Sequence, residues 1–192
     1  ITGDGDSLNE DIAFMSEYTK DGVKGINKNV HFLYEYPKNR DISDEQKNYI
    51  QGYMRDFEDA MASENFTSES EGYKKYIDVD SFIDFFILNE ITRNVDAYRI
   101  STFMNKDINE KLKMGPIWDF NIEFGNADYC EGGLTEGWAY QFNEACPADG
   151  MLVPFWWDRL MQDPNFTQAL EQRWTSLRLN ELSNSSIMGI ID

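Results

Sequence analysis

The sequence has 192 residues, with 17 Lys+Arg against 35 Asp+Glu and a formal net charge of −18. With 41% hydrophobic and 15% aromatic residues, it can bury a sizeable core, which excludes a disordered chain and fits one compact domain or one lobe of a larger protein. The charge argues against binding a nucleic-acid backbone or an anionic membrane, since both would repel it, and leaves room for cations and basic partners. No apolar run approaches the roughly 20 residues of a spanning helix, and no signal peptide is evident.

The opening ITGDGDSLNE does not read as a natural start, so a piece of a longer chain is expected. Residues 1–40 mix polar stretches with the short apolar run VHFLYEYP, which predicts irregular structure with one or two strands. The run DGDSLNED at 4–11 invites a calcium-loop reading but fails it. There is no glycine at the sixth loop position, and the twelfth is Met15 rather than Glu.

Ser43 followed by Gln46 forms a capping box. A helix is predicted from there to Ala62, with Ile50, Met54, Phe57 and Met61 on one face. The polar stretch SENFTSESEGYKK reads as a loop. A second helix runs from Val79 to Arg93 and is apolar over more than half its circumference, through Phe82, Ile83, Phe85, Phe86, Ile87 and Ile91. That pattern belongs to a central helix buried on most sides.

Ile100–Asn105 and Lys111–Trp118 then read as two strands joined by a turn at KDINEK. A long Gly-rich loop follows to about Pro154. Helices are predicted at Pro154–Gln162 and Asn165–Leu179, with Pro164 as the break, and SNSSIMGIID reads as the start of another.

The loop holds Cys130 and Cys146, with fifteen residues between them. One His and two Cys without a CxxC do not make a structural zinc site. Two reduced thiols are expected. The alternative is a loop-closing disulfide, which would imply an oxidising compartment.

The strongest constellation is geometric. Asp96 precedes the first strand of the predicted hairpin and Asp119 follows the second, and these two ends of an antiparallel hairpin are neighbours. Two close carboxylates raise each other's pKa unless a cation lies between them. Magnesium suits such a pair, because it favours one or two carboxylates with phosphate oxygens and water. The plainer reading is two solvated turn aspartates in a chain rich in acid.

The stretches FFILNEITRNVD at 85–96, GPIWDF at 115–120 and FGNADY at 124–129 resemble the CotH (spore-coat protein H) family of kinase-like proteins. YPKNRDISDEQKNYI at 36–50 and FWWDRLMQDPNF at 155–166 fit as well, so the likeness runs from about residue 30 onward. It implies an α+β fold: a protein-kinase-like catalytic lobe, mainly helical with a small antiparallel hairpin. Residues 41–192 would form that C-terminal lobe, cut short at its end, and 1–40 a remnant of the N-terminal lobe or linker strands.

The resemblance further implies ATP- and Mg²⁺-dependent phosphoryl transfer to protein Ser/Thr at the cell surface or in a secreted protein. Asp96 would be the catalytic-loop base and Asp119 the metal ligand. Kinase catalytic loops place a second metal ligand, Asn, five positions after the aspartate. Here that position is Ser101, and Asn121 stands where relatives often carry another acid.

Asn89 and Asn94, with Glu90 and Arg93, are expected to brace the loop by hydrogen bonds. Lys20, Lys24 and Lys28 precede the first helix, but none sits in an apolar strand context. The phosphate-binding lysine is expected upstream of Ile1, so these 192 residues by themselves are expected not to phosphorylate.

The acidic surface suits a Lys/Ser-rich protein substrate. The alternative is a catalytically silent extracellular binding or scaffold module, with a link to carbohydrate as one form of it. Among the tryptophans core packing is expected, with Trp138 and Tyr140 of the Gly-rich loop as candidates for sugar stacking. His31 beside Phe32 reads as a packed strand residue, and no hydrolase triad can be assembled around it.

Overall fold

The computed structural model describes residues 9–25 and 30–191. Strands β1 (Ala13–Met15) and β2 (His31–Leu33) pair antiparallel, Phe14 opposite Phe32. Helix α1 (Asp44–Ala62) starts at the Ser43 cap, where the Gln46 N–H donates to Ser43 Oγ at 3.3 Å and the Ser43 N–H to Gln46 Oε1 at 2.9 Å. The reciprocal bonds satisfy two donors that a helix start otherwise leaves unpaired. Met54, Phe57 and Met61 of the predicted face are buried.

Helix α2 (Val79–Thr92) is capped by Asp78, whose side chain accepts the Ser81 N–H. Its buried Phe82, Phe85 and Phe86 surround Trp157 of α4 (Trp156–Met161). Tyr98 packs edge-on against the same indole at 4.7 Å. On the other side Trp156 stacks with Phe32 and meets Phe57 edge-on. These adjacent tryptophans tie α1, α2 and the β1–β2 hairpin into one aromatic core, where area burial and ring geometry both stabilise.

Helix α5 (Pro164–Leu179) packs along α2. Pro164 is its first residue rather than a break before it, because a proline there gives up only an N–H that has no helical partner. Helix α6 (Asn184–Ile191) follows. Between α2 and α4 the regular structure is sparse. Strands β3 (Met104–Asn105) and β4 (Lys113–Met114) pair antiparallel, and a short helix α3 spans Phe142–Ala145.

The β3–β4 hairpin exists but is shorter than expected. Ser101, inside the predicted first strand, takes a left-handed φ of 49°, which no strand accommodates. On the far strand Pro116 has no N–H to donate to a ladder. Among the described residues the chain is a mixed α and β structure of helices and two small antiparallel sheets.

Two expectations about side chains need correction. Cys130 and Cys146 are joined in a disulfide, with Cα atoms 5.5 Å apart, rather than reduced. The loop between them turns back through α3, which brings the two residues together despite their sequence separation. Core packing holds for Trp156 and Trp157 but not for Trp118, 63% exposed, or Trp174, also exposed, while Trp138, set apart as a sugar-stacking candidate, is 51% exposed. Residues 4–8 of the DGDSLNED run and Lys28 lie outside the described residues.

Candidate functional site

Helix α2 ends in a left-handed cap at Arg93 (φ 49°), which turns the chain into the Asp96 loop. A relay of buried amides supports that turn. Asn89 Nδ2 donates to the Phe85 carbonyl at 2.8 Å, and its Oδ1 accepts from Asn94 Nδ2 at 3.0 Å. Asn94 Oδ1 in turn accepts the Asp96 N–H at 3.0 Å. Both amides are buried, where an unmade hydrogen bond is costly, so the relay ties the Asp96 backbone to the last turns of α2.

Glu90, on the same helix, secures the Gly-rich loop. Its carboxylate accepts the Ala139 and Tyr140 N–H groups at 2.7 and 2.9 Å and the Tyr98 hydroxyl at 2.8 Å. Burial pushes its pKa above the usual carboxylate range, and these donors offset part of that rise.

The Asp96 side chain is held by two groups that have no periodic sequence signal. Arg99 Nη2 donates to Asp96 Oδ1 at 3.1 Å, and the Tyr129 hydroxyl donates to the same oxygen at 2.9 Å. Arg99 is buried. It also donates to the Val95 carbonyl and Asp149, and lies 3.8 Å over the Phe142 ring. Burial, and then the hydrogen bond to Asp96, push the Tyr129 hydroxyl up to about 12. Tyr129 adjoins Cys130, so the disulfide anchors the stretch that reaches Asp96. Gly132 belongs to the same stretch. A Cβ there would come within 2.8 Å of both Val95 Cγ1 and Ala127 Cβ, so only glycine lets the loop approach the Asp96 turn this closely.

Asp119, beyond β4, is exposed and left-handed (φ 62°). Ser101 Oγ, from the Asp96 side, donates to Asp119 Oδ2 at 3.4 Å. Asn121 is exposed, and its carbonyl accepts from Asn126 Nδ2. Glu123 was not among the residues singled out from the sequence. It is 5% exposed, and neither carboxylate oxygen has a hydrogen-bond partner. Burial first, and further the charges of Asp119 and Asp96, hold its pKa above the usual range, with its own backbone N–H offsetting part of the rise.

The backbone is also unusual here. Arg93, Tyr98, Ser101, Asp119, Phe124, Cys130 and Glu131 all have left-handed φ angles. Each such residue costs on the order of 1–3 kcal/mol, and clusters of them gather where geometry serves a site.

Among the described residues no three His, Cys, Asp or Glu side chains stand together as a metal-binding group. Asp119 and Ser101, 3.4 Å apart, offer oxygen donors of the kind a hard divalent cation takes, and such a cation needs few protein ligands when phosphate and water supply the rest. Lys20 is paired with Asp21, and Lys24 with Glu17 and Asp59. A cavity of about 470 Å³ beside Phe155, Arg159 and Gly22 is lined by none of Asp96, Ser101, Asp119 or Glu123.

The site is thus a loop braced from α2 that carries Asp96, with Ser101 linking it to Asp119. The chain belongs to the CotH kinase protein family, whose model matches residues 11–192. No curated protein and no solved structure matches it.

Proposed function

We propose that the protein transfers the γ-phosphoryl group of ATP to Ser or Thr of a protein substrate, with Mg²⁺, as an extracytoplasmic member of this kinase-like family. The observation that carries the reading is the setting of Asp96. Arg99 and Tyr129 both bind its Oδ1, and among the described residues nothing bonds its Oδ2. A carboxylate fixed through one oxygen presents the other to a substrate hydroxyl.

In this reading Asp96 Oδ2 takes the hydroxyl proton as the new O–P bond forms and the bond to the departing ADP breaks. Asp119 and Ser101 hold the cation. When bound, that ion offsets the charge of the nucleotide phosphates. Catalysis of this kind is largely positioning and charge stabilisation, which is what a braced loop provides. Residues 41–192 would be the catalytic lobe, with the β1–β2 hairpin belonging to the preceding remnant. The Cys130–Cys146 disulfide supports an oxidising compartment. The net charge of −18 favours a Lys/Ser-rich substrate.

A second reading has its own support. Trp118 and Trp138 are half exposed or more, as a silent carbohydrate-linked binding module would require.

The test is transfer of label from γ-labelled ATP to a Lys/Ser-rich peptide, with the 192-residue chain assayed beside the full-length gene product. Labelling by the full-length protein that is lost in Asp96→Ala is expected. With ATP present, Mg²⁺ should raise the melting temperature, and Asp119→Ala should abolish that rise. Unchanged labelling in Asp96→Ala would overturn the reading. An absence of labelling together with saturable oligosaccharide binding, lost in Trp138→Ala, would favour the silent module.

A further inference from the structure

Glu123 is the polar group that the rest of the structure leaves unexplained. It lies in the turn 123–126, and the Phe124 N–H docks that turn on the Thr92 carbonyl at the end of α2. Both carboxylate oxygens are shut off from solvent, and neither has a hydrogen-bond partner.

Its surroundings are unfavourable to a lone carboxylate. The carbonyl end of a helix carries partial negative charge. Asp119 and Asp96 act on Glu123 as like charges. The nearby cationic side chains are engaged elsewhere, Arg93 with Glu131 and Arg99 with Asp96 and Asp149. Protonation does not resolve the matter, because a neutral carboxyl still needs an acceptor for its O–H and a donor for its carbonyl oxygen. A buried carboxylate is satisfied by hydrogen bonds, by an ion pair or by a metal, and among the described residues Glu123 has no ion pair and nothing beyond a weak influence of its own backbone N–H.

We infer that Glu123 is a ligand of the divalent cation, binding it together with Asp119. This rests on the proposed role of Asp119 and deepens it. The position expected to supply the second metal ligand, an amide, holds Ser101, and the position two residues after Asp119 holds Asn121. Glu123, four residues after Asp119, returns a charged oxygen ligand to the site. A cation bound by both carboxylates relieves the repulsion between them.

The experiment titrates Mn²⁺ alone into the 192-residue chain. The electron paramagnetic resonance signal of free Mn²⁺ is followed, and melting curves are taken in parallel with and without EDTA. The variants are Asp119→Asn, Glu123→Gln and, should the glutamine variant not fold, Glu123→Ala. The expected result is Mn²⁺ binding by the parent chain that weakens at least about tenfold in both Asp119→Asn and Glu123→Gln, a loss no smaller than removing an outer-shell partner causes. In EDTA the Glu123→Gln chain should melt no lower than the parent, since the unpaired charge is gone.

Binding unchanged in Glu123→Gln but lost in Asp119→Asn overturns the Glu123 assignment and leaves the Asp119 reading standing. Binding unchanged in both variants, or no binding by the parent chain, overturns both.

Discussion

Arg99 illustrates how much one side chain carries at this site. It joins Asp96 to Asp149, bonds the Val95 carbonyl and covers Phe142, all from a buried position. Removing one partner of a buried ion pair leaves an uncompensated charge, at a cost of about 3–5 kcal/mol. Arg99→Ala is therefore expected to lower unfolding stability by roughly that amount in urea titrations. Tyr129→Phe removes one hydrogen bond to a carboxylate that keeps its Arg99 partner, so a loss of about 1–2 kcal/mol is expected. If the two variants cost the same, Arg99 is not the principal support of Asp96. Asp96 and Asp119 stood out in the sequence because the order of helix, loop and hairpin places them in one region and their motifs resemble a family. Arg99, Tyr129 and Glu123 did not. They lie in turns and irregular loops, where no periodicity links a residue to its neighbours in space. The one available hint was the i, i+3 spacing of Asp96 and Arg99.

Helix α1 carries a second buried acid on its packed face. Glu58 accepts from Ser16 Oγ at 2.7 Å and Trp156 Nε1 at 3.1 Å, which joins the N-terminal hairpin to α4. Burial is the main reason its pKa rises to about 7 from the ordinary 4.5. Between those values the folded chain holds a proton that the unfolded chain has lost, so stability falls as pH rises through the window. The contribution is fully present below about 4.5 and lost above about 7, on the order of 3 kcal/mol across it. Urea unfolding at pH 5 and pH 8 should show the parent chain more stable at pH 5. Glu58→Gln, which keeps an acceptor but does not titrate, should flatten the difference; an undiminished slope would assign the effect to other groups. The disulfide acts at the same scale. It closes a loop with a sequence separation of 16, for which chain entropy predicts about 3 kcal/mol. Cys130→Ser with Cys146→Ser should lose about that much. Alkylation under non-reducing conditions, followed by mass spectrometry, should find neither thiol free in the parent chain. Helices α1, α2 and α5 were legible because an apolar face repeats at helical spacing. Helix α3 was not, being too short to show a period. The strands of the β3–β4 hairpin were predicted too long because apolar runs do not reveal left-handed backbone.

Across the whole molecule the charge of −18 opposes compaction, and salt screens it within a Debye length of about 10 Å at 0.1 M. Raising NaCl from about 0.05 to about 0.5 M is expected to raise the melting temperature, and a fall would mean that specific ion pairs outweigh the general repulsion. The amino-acid sequence by itself determined the helical framework, the hairpin order and the acidic character, because periodicity, caps and charge are local properties. The likeness of its motifs was enough to suggest the family. The tertiary structure decided which cysteines meet, which tryptophans stay exposed, which groups hold Asp96, and that Glu123 is buried without a partner. Those are contacts between residues distant in sequence. Packing around α2 selects them, and no local pattern records that choice.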